Sequence, residues 1–114
     1  MVAAGFAAGL TGEGDMEVLG TVGTAADGLD RIHDGQPAVA IVDQALPDGR
    51  GTDLAVHVRE VALATKVLIV SAQAEETLVS EVVDSGCAGL VSKSPGAPEL
   101  VRAVRAIAAG QSFL

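Results

Sequence analysis

The sequence predicts a doubly wound α/β domain, a parallel sheet with helices on both faces, and three observations predict it. Short runs rich in Val, Ile and Leu alternate with segments whose apolar residues recur at the helical period. The runs "AVAIV" and "KVLIV" carry almost no polar residues, as strands covered on both faces require. The chain has 114 residues, 49% of them hydrophobic, enough for one core and one domain.

Taken in order, "MVAAGFAAGL" reads as an opening helix, where folds of this kind commonly open on a strand. "MEVLGTV" (Met16 to Val22) reads as a strand, and "TAADGLDRIHDG" as a helix with Ala25, Leu29 and Ile32 on one face and Gly35 as its stop. "AVAIV" (Ala38 to Val42) is the next strand. "TDLAVHVREV" follows as a helix that places Leu54, Val58 and Val61 together. "KVLIV" (Lys66 to Val70) is a strand, and "EETLVSEVVDSG" a helix with Leu78, Val82 and Val83 inward and Gly86 at its end. "GLVS" (Gly89 to Ser92) is the last strand. "PELVRAVRAIAAG" then starts at Pro98, ends at Gly110 and turns Leu100, Val101, Val104 and Ile107 inward. This alternation calls for right-handed crossovers and helices on both sheet faces.

Composition excludes several function classes. Seven basic against 15 acidic residues give a net charge of −8, which repels a phosphate backbone. Phe6 and Phe113 are the only aromatic residues, so no stacking platform for bases exists, and direct nucleic-acid binding by this chain is not expected. The apolar start lacks the basic flank of a signal peptide and runs into acidic "TGEGD". No segment sustains the ~18 apolar residues of a membrane span. A cytoplasmic protein is expected, and the single Cys87, which can form no intramolecular disulfide, fits a reducing compartment.

Ligands of open α/β sheets bind outside the carboxyl ends of the strands. The residues just past three of the strands are Asp43, Ser71 and Lys93, spaced by 28 (43 to 71) and 22 (71 to 93) residues, each about one helix-plus-strand unit. A carboxylate can attack a phosphoryl group, a lysine can neutralise its oxygens and a hydroxyl can hydrogen-bond one of them. Taken singly the three are ordinary: Asp43 as a turn aspartate before "LPDG", Ser71 as a strand-end serine, Lys93 as a solvated charge. The triple in one register carries the information.

These residues resemble the receiver domain of two-component response regulators. "VDQALPDGRGTDL" looks like the phosphoacceptor segment, "KVLIVSAQ" like the strand with the switch hydroxyl, and "GCAGLVSKSPGAPELVRAVRAIAAG" like the lysine strand and last helix. "VLGTVGTAADGLDRI" and "AAGQSFL" are most similar to receivers of LuxR/NarL-type transcription regulators, in which a DNA-binding domain follows. The resemblance implies a flavodoxin-like receiver fold with strand order 2-1-3-4-5. It implies Asp43 as phosphoacceptor, Ser71 as switch hydroxyl and Lys93 as phosphoryl partner. A Mg²⁺ ion would be held by Asp43 and the Ala45 carbonyl, and the phosphoryl donor would be a histidine kinase or a small phosphodonor.

The family opens on a strand ending in paired acidic residues that hold Mg²⁺, and Met1 falls about where the first helix begins. The expectation is therefore a receiver-like domain over 1–114 with its first strand missing, its effector domain absent, and Mg²⁺ bound weakly or not at all. Asp48 is the nearby acid left to substitute. A sheet without its central strand is expected to re-pair or to recruit a second copy, giving a homodimer. Leu90 stands where the family commonly has an aromatic residue.

Two other functions compete with a phosphorylatable receiver. One is a pseudo-receiver, a protein-protein interaction module that works without phosphorylation. The other is a phosphatase of the haloacid dehalogenase type, which needs a second Asp two residues after the nucleophile; Ala45 occupies that place, so no enzyme is expected. His33 and His57 read as surface residues and Cys87 as a small packed one. No GxGxxG or GxxxxGK[ST] pattern supports nucleotide binding.

Overall fold

The computed structural model describes residues 2–3, 20–72, 76–92 and 98–114. The predicted opening helix beyond Ala3, Met16–Leu19 of the strand predicted over Met16 to Val22, and Lys93 lie outside the described residues. The elements in chain order are β1 (Val2–Ala3), β2 (Gly20–Thr21), α1 (Ala25–Gly35), β3 (Val39–Asp43), β4 (Ala45–Leu46), β5 (Gly49–Arg50), α2 (Gly51–Val61), β6 (Lys66–Ser71), α3 (Glu76–Asp84), β7 (Gly89–Ser92) and α4 (Pro98–Ala108). The main sheet is parallel with order β2-β1-β3-β6-β7, and β4 and β5 form a separate antiparallel hairpin.

The order overturns the expected loss of the first strand. Val2 pairs with Gly20 on one side and Ala40 on the other, and Ala3 with Thr21 and Ile41, so β1 sits between β2 and β3. Without it, both neighbours would turn unpaired backbone amides and carbonyls toward each other, at a cost comparable to lost hydrogen bonds. Two residues have no detectable period, so a strand this short is invisible in the hydrophobic pattern. The expected re-pairing of the sheet is corrected with it: the strands keep the ordinary order.

Alternation along β3 and β6 splits the core into two layers. Ala40, Val42, Val67 and Ile69 meet Ile32 of α1, Leu54, Ala55 and Val58 of α2, and Leu78 and Val82 of α3. On the other face Val39, Ile41, Leu68 and Val70 meet Leu100, Val101, Val104 and Ile107 of α4. Each large side chain so buried stabilises the fold by roughly 1.5–3 kcal/mol. Two predicted core residues are exposed instead: Val61 at 37% and Val83 at 53%. After Val58 the inward position falls to Ala62, four residues on, rather than Val61, and Val83 lies about 100° around the helix from Val82.

Gly35 does not stop α1. It stays helical, and Gln36 takes the left-handed cap position with φ 45°. The Gln36 side chain offsets that conformation by donating to the carbonyls of His33 (2.9 Å) and of Val61 at the end of α2 (3.2 Å). Gly86 (φ 76°) does end α3 as predicted, with the Cys87 N–H donating to the Val82 carbonyl at 3.1 Å. Thr65 is buried and its hydroxyl donates to the Pro37 carbonyl at 2.7 Å, joining the turns that precede β6 and β3. Thr65→Val is expected to leave that carbonyl unpaired and to lower stability by about 1–3 kcal/mol, read from the urea midpoint at unchanged m-value.

The free edge of β7 is covered by the end of the chain. Phe113 forms a parallel bridge with Gly89: its N–H donates to Ala88 (2.9 Å) and its carbonyl accepts from Leu90 (3.0 Å). Phe113 also packs against the α4-side core layer.

Candidate functional site

The strand register places two of the predicted residues, Asp43 and Ser71, at one edge. Asp43, the last residue of β3, is opposite Val70; Ser71, the last of β6, is opposite Ser92, the last of β7. Lys93 follows Ser92 in sequence and lies outside the described residues. Ser71 is buried and Asp43 half-buried. The Asp43 Oδ1 atom accepts the Ala45 N–H at 3.0 Å, an Asx-type turn that holds the carboxylate over the start of the β4–β5 hairpin. A carboxylate held this way at a strand tip can act as a nucleophile toward an approaching phosphoryl group.

The backbone behind Asp43 is fixed on two sides. The Gln44 N–H donates to the Val70 carbonyl at 2.9 Å, and the Gln44 carbonyl accepts the Gly51 N–H at 3.0 Å. Gly51, the first residue of α2, lies so close that an added Cβ would stand 2.6 Å from the Asp43 carbonyl oxygen and 3.0 Å from Val42 Cγ1.

Asp48, the nearby acid left to substitute for a missing metal ligand, caps a helix. Its two oxygens accept the N–H groups of Ala25 (2.7 Å) and Ala26 (3.1 Å), while Thr24 Oγ1 accepts that of Asp27 (3.2 Å). Together they cap the start of α1. The bonds from Ala25 and then Ala26 hold the Asp48 carboxyl below its ordinary value of 3.8. A depressed folded-state value contributes stability above the unfolded-state value and loses it as pH falls through the folded one. Asp48→Ala is therefore expected to lower the thermal midpoint at pH 7, and the difference from the parent should shrink as pH falls through and below 3.8.

Among the described residues no three His, Cys, Asp or Glu side chains gather into a metal-holding group. For Mg²⁺, which binds through one or two carboxylates and keeps several waters, Asp43 is the carboxylate that the described residues bring to this strand tip. No step below runs through the ion. His33 and His57 are exposed, as expected. Cys87 packs against the core layer under α1–α3, and burial pushes its thiol up to about 11, against a smaller opposing effect of Arg59. It is not a thiolate at neutral pH.

Sequence reasoning missed a polar cluster beside Asp43. Gln44, Arg50 and Thr52, all in the segment after β3, converge on Glu81 of α3. The available signal was Gln44 itself, a long amide directly after Asp43 at the end of an apolar strand.

Residues 1–105 match the family described as response regulator receiver domain. The chain is 33% identical over 110 residues to the transcriptional regulatory protein NarL of Mycobacterium tuberculosis, covering 96% of this chain and 51% of that protein. It is 30% identical over 100 residues to the DNA-binding transcriptional activator DevR/DosR of the same species, covering 88% of this chain and 46% of that one. The chain thus spans about half the length of the curated relatives it matches. The solved signal receiver domain of the Mycobacterium tuberculosis NarL superposes with a TM-score of 0.89 at 31% identity, covering 96% of this chain and 94% of that one. A LuxR-family response regulator from Aurantimonas sp. SI85-9A1, at 22% identity, shares the fold with a TM-score of 0.88 over all of this chain and 86% of that one. With its strand order, its carboxyl-edge residues and these matches, the chain belongs to the response regulator receiver domain family.

Proposed function

We propose that this chain is the signal-receiving module of a two-component response regulator of the NarL type, with Asp43 as the phosphoacceptor that controls a DNA-binding output domain. The observation that carries the reading is the common register of Asp43, Ser71 and Ser92 at the carboxyl edge, with Lys93 next in sequence after Ser92. An Asp43 oxygen attacks the phosphorus of a phosphohistidine of a histidine kinase, or of a small phosphodonor. The new O–P bond forms as the bond to the imidazole nitrogen or acyl oxygen breaks, and the leaving group takes the electron pair. Ser71 hydrogen-bonds a phosphoryl oxygen and Lys93 neutralises another. Mg²⁺, held by the Asp43 carboxylate and the Ala45 carbonyl, would offset charge on the phosphoryl oxygens. The module receives a phosphoryl group rather than turning over a substrate, so it is not an enzyme in this reading.

Beryllofluoride or acetyl phosphate, with Mg²⁺, tests this directly. The parent chain is expected to bind the first or be labelled by the second only weakly, and Asp43→Asn to abolish both, because the amide is neither nucleophilic nor charged. A parent that ignores both reagents sinks the phosphoacceptor role. That no three acidic, His or Cys side chains gather into a metal-holding group among the described residues favours one alternative, a pseudo-receiver that binds a partner protein equally well with Asp43→Asn.

The module works in the cytoplasm, and its charge of −8 leaves nucleic-acid contact to the output domain. Among the described residues no helix is long and apolar enough to cross a membrane. A homodimer, the state expected from the sequence, is part of the same proposal. Sedimentation equilibrium is expected to show two copies; a concentration-independent monomer rules that out.

A further inference from the structure

One oxygen of Glu81 gathers three donors from the segment that runs from Gln44 into the first turn of α2. Arg50 Nη2 reaches Glu81 Oε2 at 2.5 Å, Gln44 Nε2 at 3.3 Å and the Thr52 hydroxyl at 3.4 Å. Gln44 is tied into the same set at its other atoms: Nε2 also donates to Thr52 Oγ1 (3.2 Å), and Oε1 accepts the Thr52 N–H (3.0 Å). Thr52 is buried at the start of α2, and Glu81 is half-buried in the middle of α3. The cluster is continuous with the strand tip, because Gln44 follows Asp43 directly and its own backbone is pinned to Val70 and Gly51.

The helix held by this carboxylate has few other anchors. Of the described α3 side chains only Leu78 and Val82 are buried, whereas Val79 and Val83 are 39% and 53% exposed. Elements with few buried apolar contacts occupy the low-stability end of a structure, and α3 is such an element. It also follows β6, whose last residue is Ser71, and the Glu81 cluster ties its middle to the segment after Asp43.

We propose that Glu81 is a latch: clamped by Gln44, Arg50 and Thr52, it holds α3 against the loop after Asp43 in the resting protein, so that α3 release and occupation of Asp43 are coupled. The second half rests on the phosphoacceptor reading; the first does not. A phosphoryl group brings roughly −2 charge to the residue next to Gln44. A state of the loop that fits that charge and a state that fits Glu81 are then in competition. By reciprocity, loosening one end changes affinity at the other by the same factor.

Hydrogen exchange on the whole chain tests the latch without any phosphoryl group. Glu81→Ala is expected to speed exchange of α3 amides about tenfold, with β3 and β6 unchanged. Glu81→Gln, which keeps an acceptor but loses the charge, should fall between it and the parent. Gln44→Leu, altered on the loop side only, should also speed α3, and the double variant Gln44→Leu/Glu81→Ala should do no more than Glu81→Ala alone. Unchanged α3 exchange in Glu81→Ala, or strict additivity in the double variant, overturns the latch. A beryllofluoride titration with Mg²⁺ tests the coupling: Glu81→Ala should bind several-fold more tightly than the parent. Equal affinity in the two overturns the coupling. If neither binds while Asp43→Asn also looks like the parent, the phosphoacceptor reading has failed and the coupling with it, while exchange still decides the latch.

Discussion

Leu68→Ala is expected to destabilise the domain by about 3 kcal/mol, within the roughly 2–5 kcal/mol typical of Leu→Ala in a packed core. Leu68 lies in the middle of β6, is fully buried, and packs in the layer between the sheet and α4. The loss has two parts, the transfer free energy of the deleted carbons and the cavity that strands on both sides cannot close. β6 is hydrogen-bonded to β3 and β7, so its backbone has little freedom to move inward. Small domains carry about 5–15 kcal/mol in total, so the thermal midpoint should fall by roughly 10 °C. Calorimetry checks it, and a shift of only a degree or two would mean that the α4 layer is loosely packed.

Gly51→Ala should combine a fold defect with a site defect. The methyl group would stand 2.6 Å from the Asp43 carbonyl oxygen and 3.1 Å from its carbonyl carbon, a contact that no side-chain rotation relieves. Either α2 shifts along its axis or the end of β3 retreats. Overpacking of this kind costs roughly 1–3 kcal/mol. Glycine is otherwise the poorer helix residue, so any gain in helix propensity at this position works against the loss and does not exceed ~1 kcal/mol. Because the displaced group is the backbone of Asp43 itself, beryllofluoride affinity should drop more than tenfold even in protein that remains folded. Parent-like affinity in a destabilised Gly51→Ala would show that α2 yields and the strand tip does not.

The comparison of pattern with structure separates along one physical line. The alternation of β3, β6 and β7 with α1 to α4, the inward Ile32, Leu54, Val58, Leu78, Val82 and Val104, and the stop at Gly86 all depend on neighbours a few residues away. Periodicity reports such features directly. The placement of Asp43 and Ser71 at one edge was legible for the same reason, since the end of an apolar run marks the end of a strand. What lies between elements was not legible. β1 is two residues long and exists only because β2 and β3 flank it. Asp48 is 23 residues from the Ala25 amide it caps, and Glu81 is 37 from Gln44. Phe113 reaches the sheet only because α4 brings it back to Gly89. The sequence by itself determined the class of fold, the alternation of β3, β6 and β7 with α1 to α4, and Asp43 and Ser71 at the strand tips, because hydrophobic burial acts through local period. Only the tertiary structure decided which polar side chains meet, because a hydrogen bond is satisfied by whichever donor the packed helices bring within about 3 Å, not by any residue nearby in sequence.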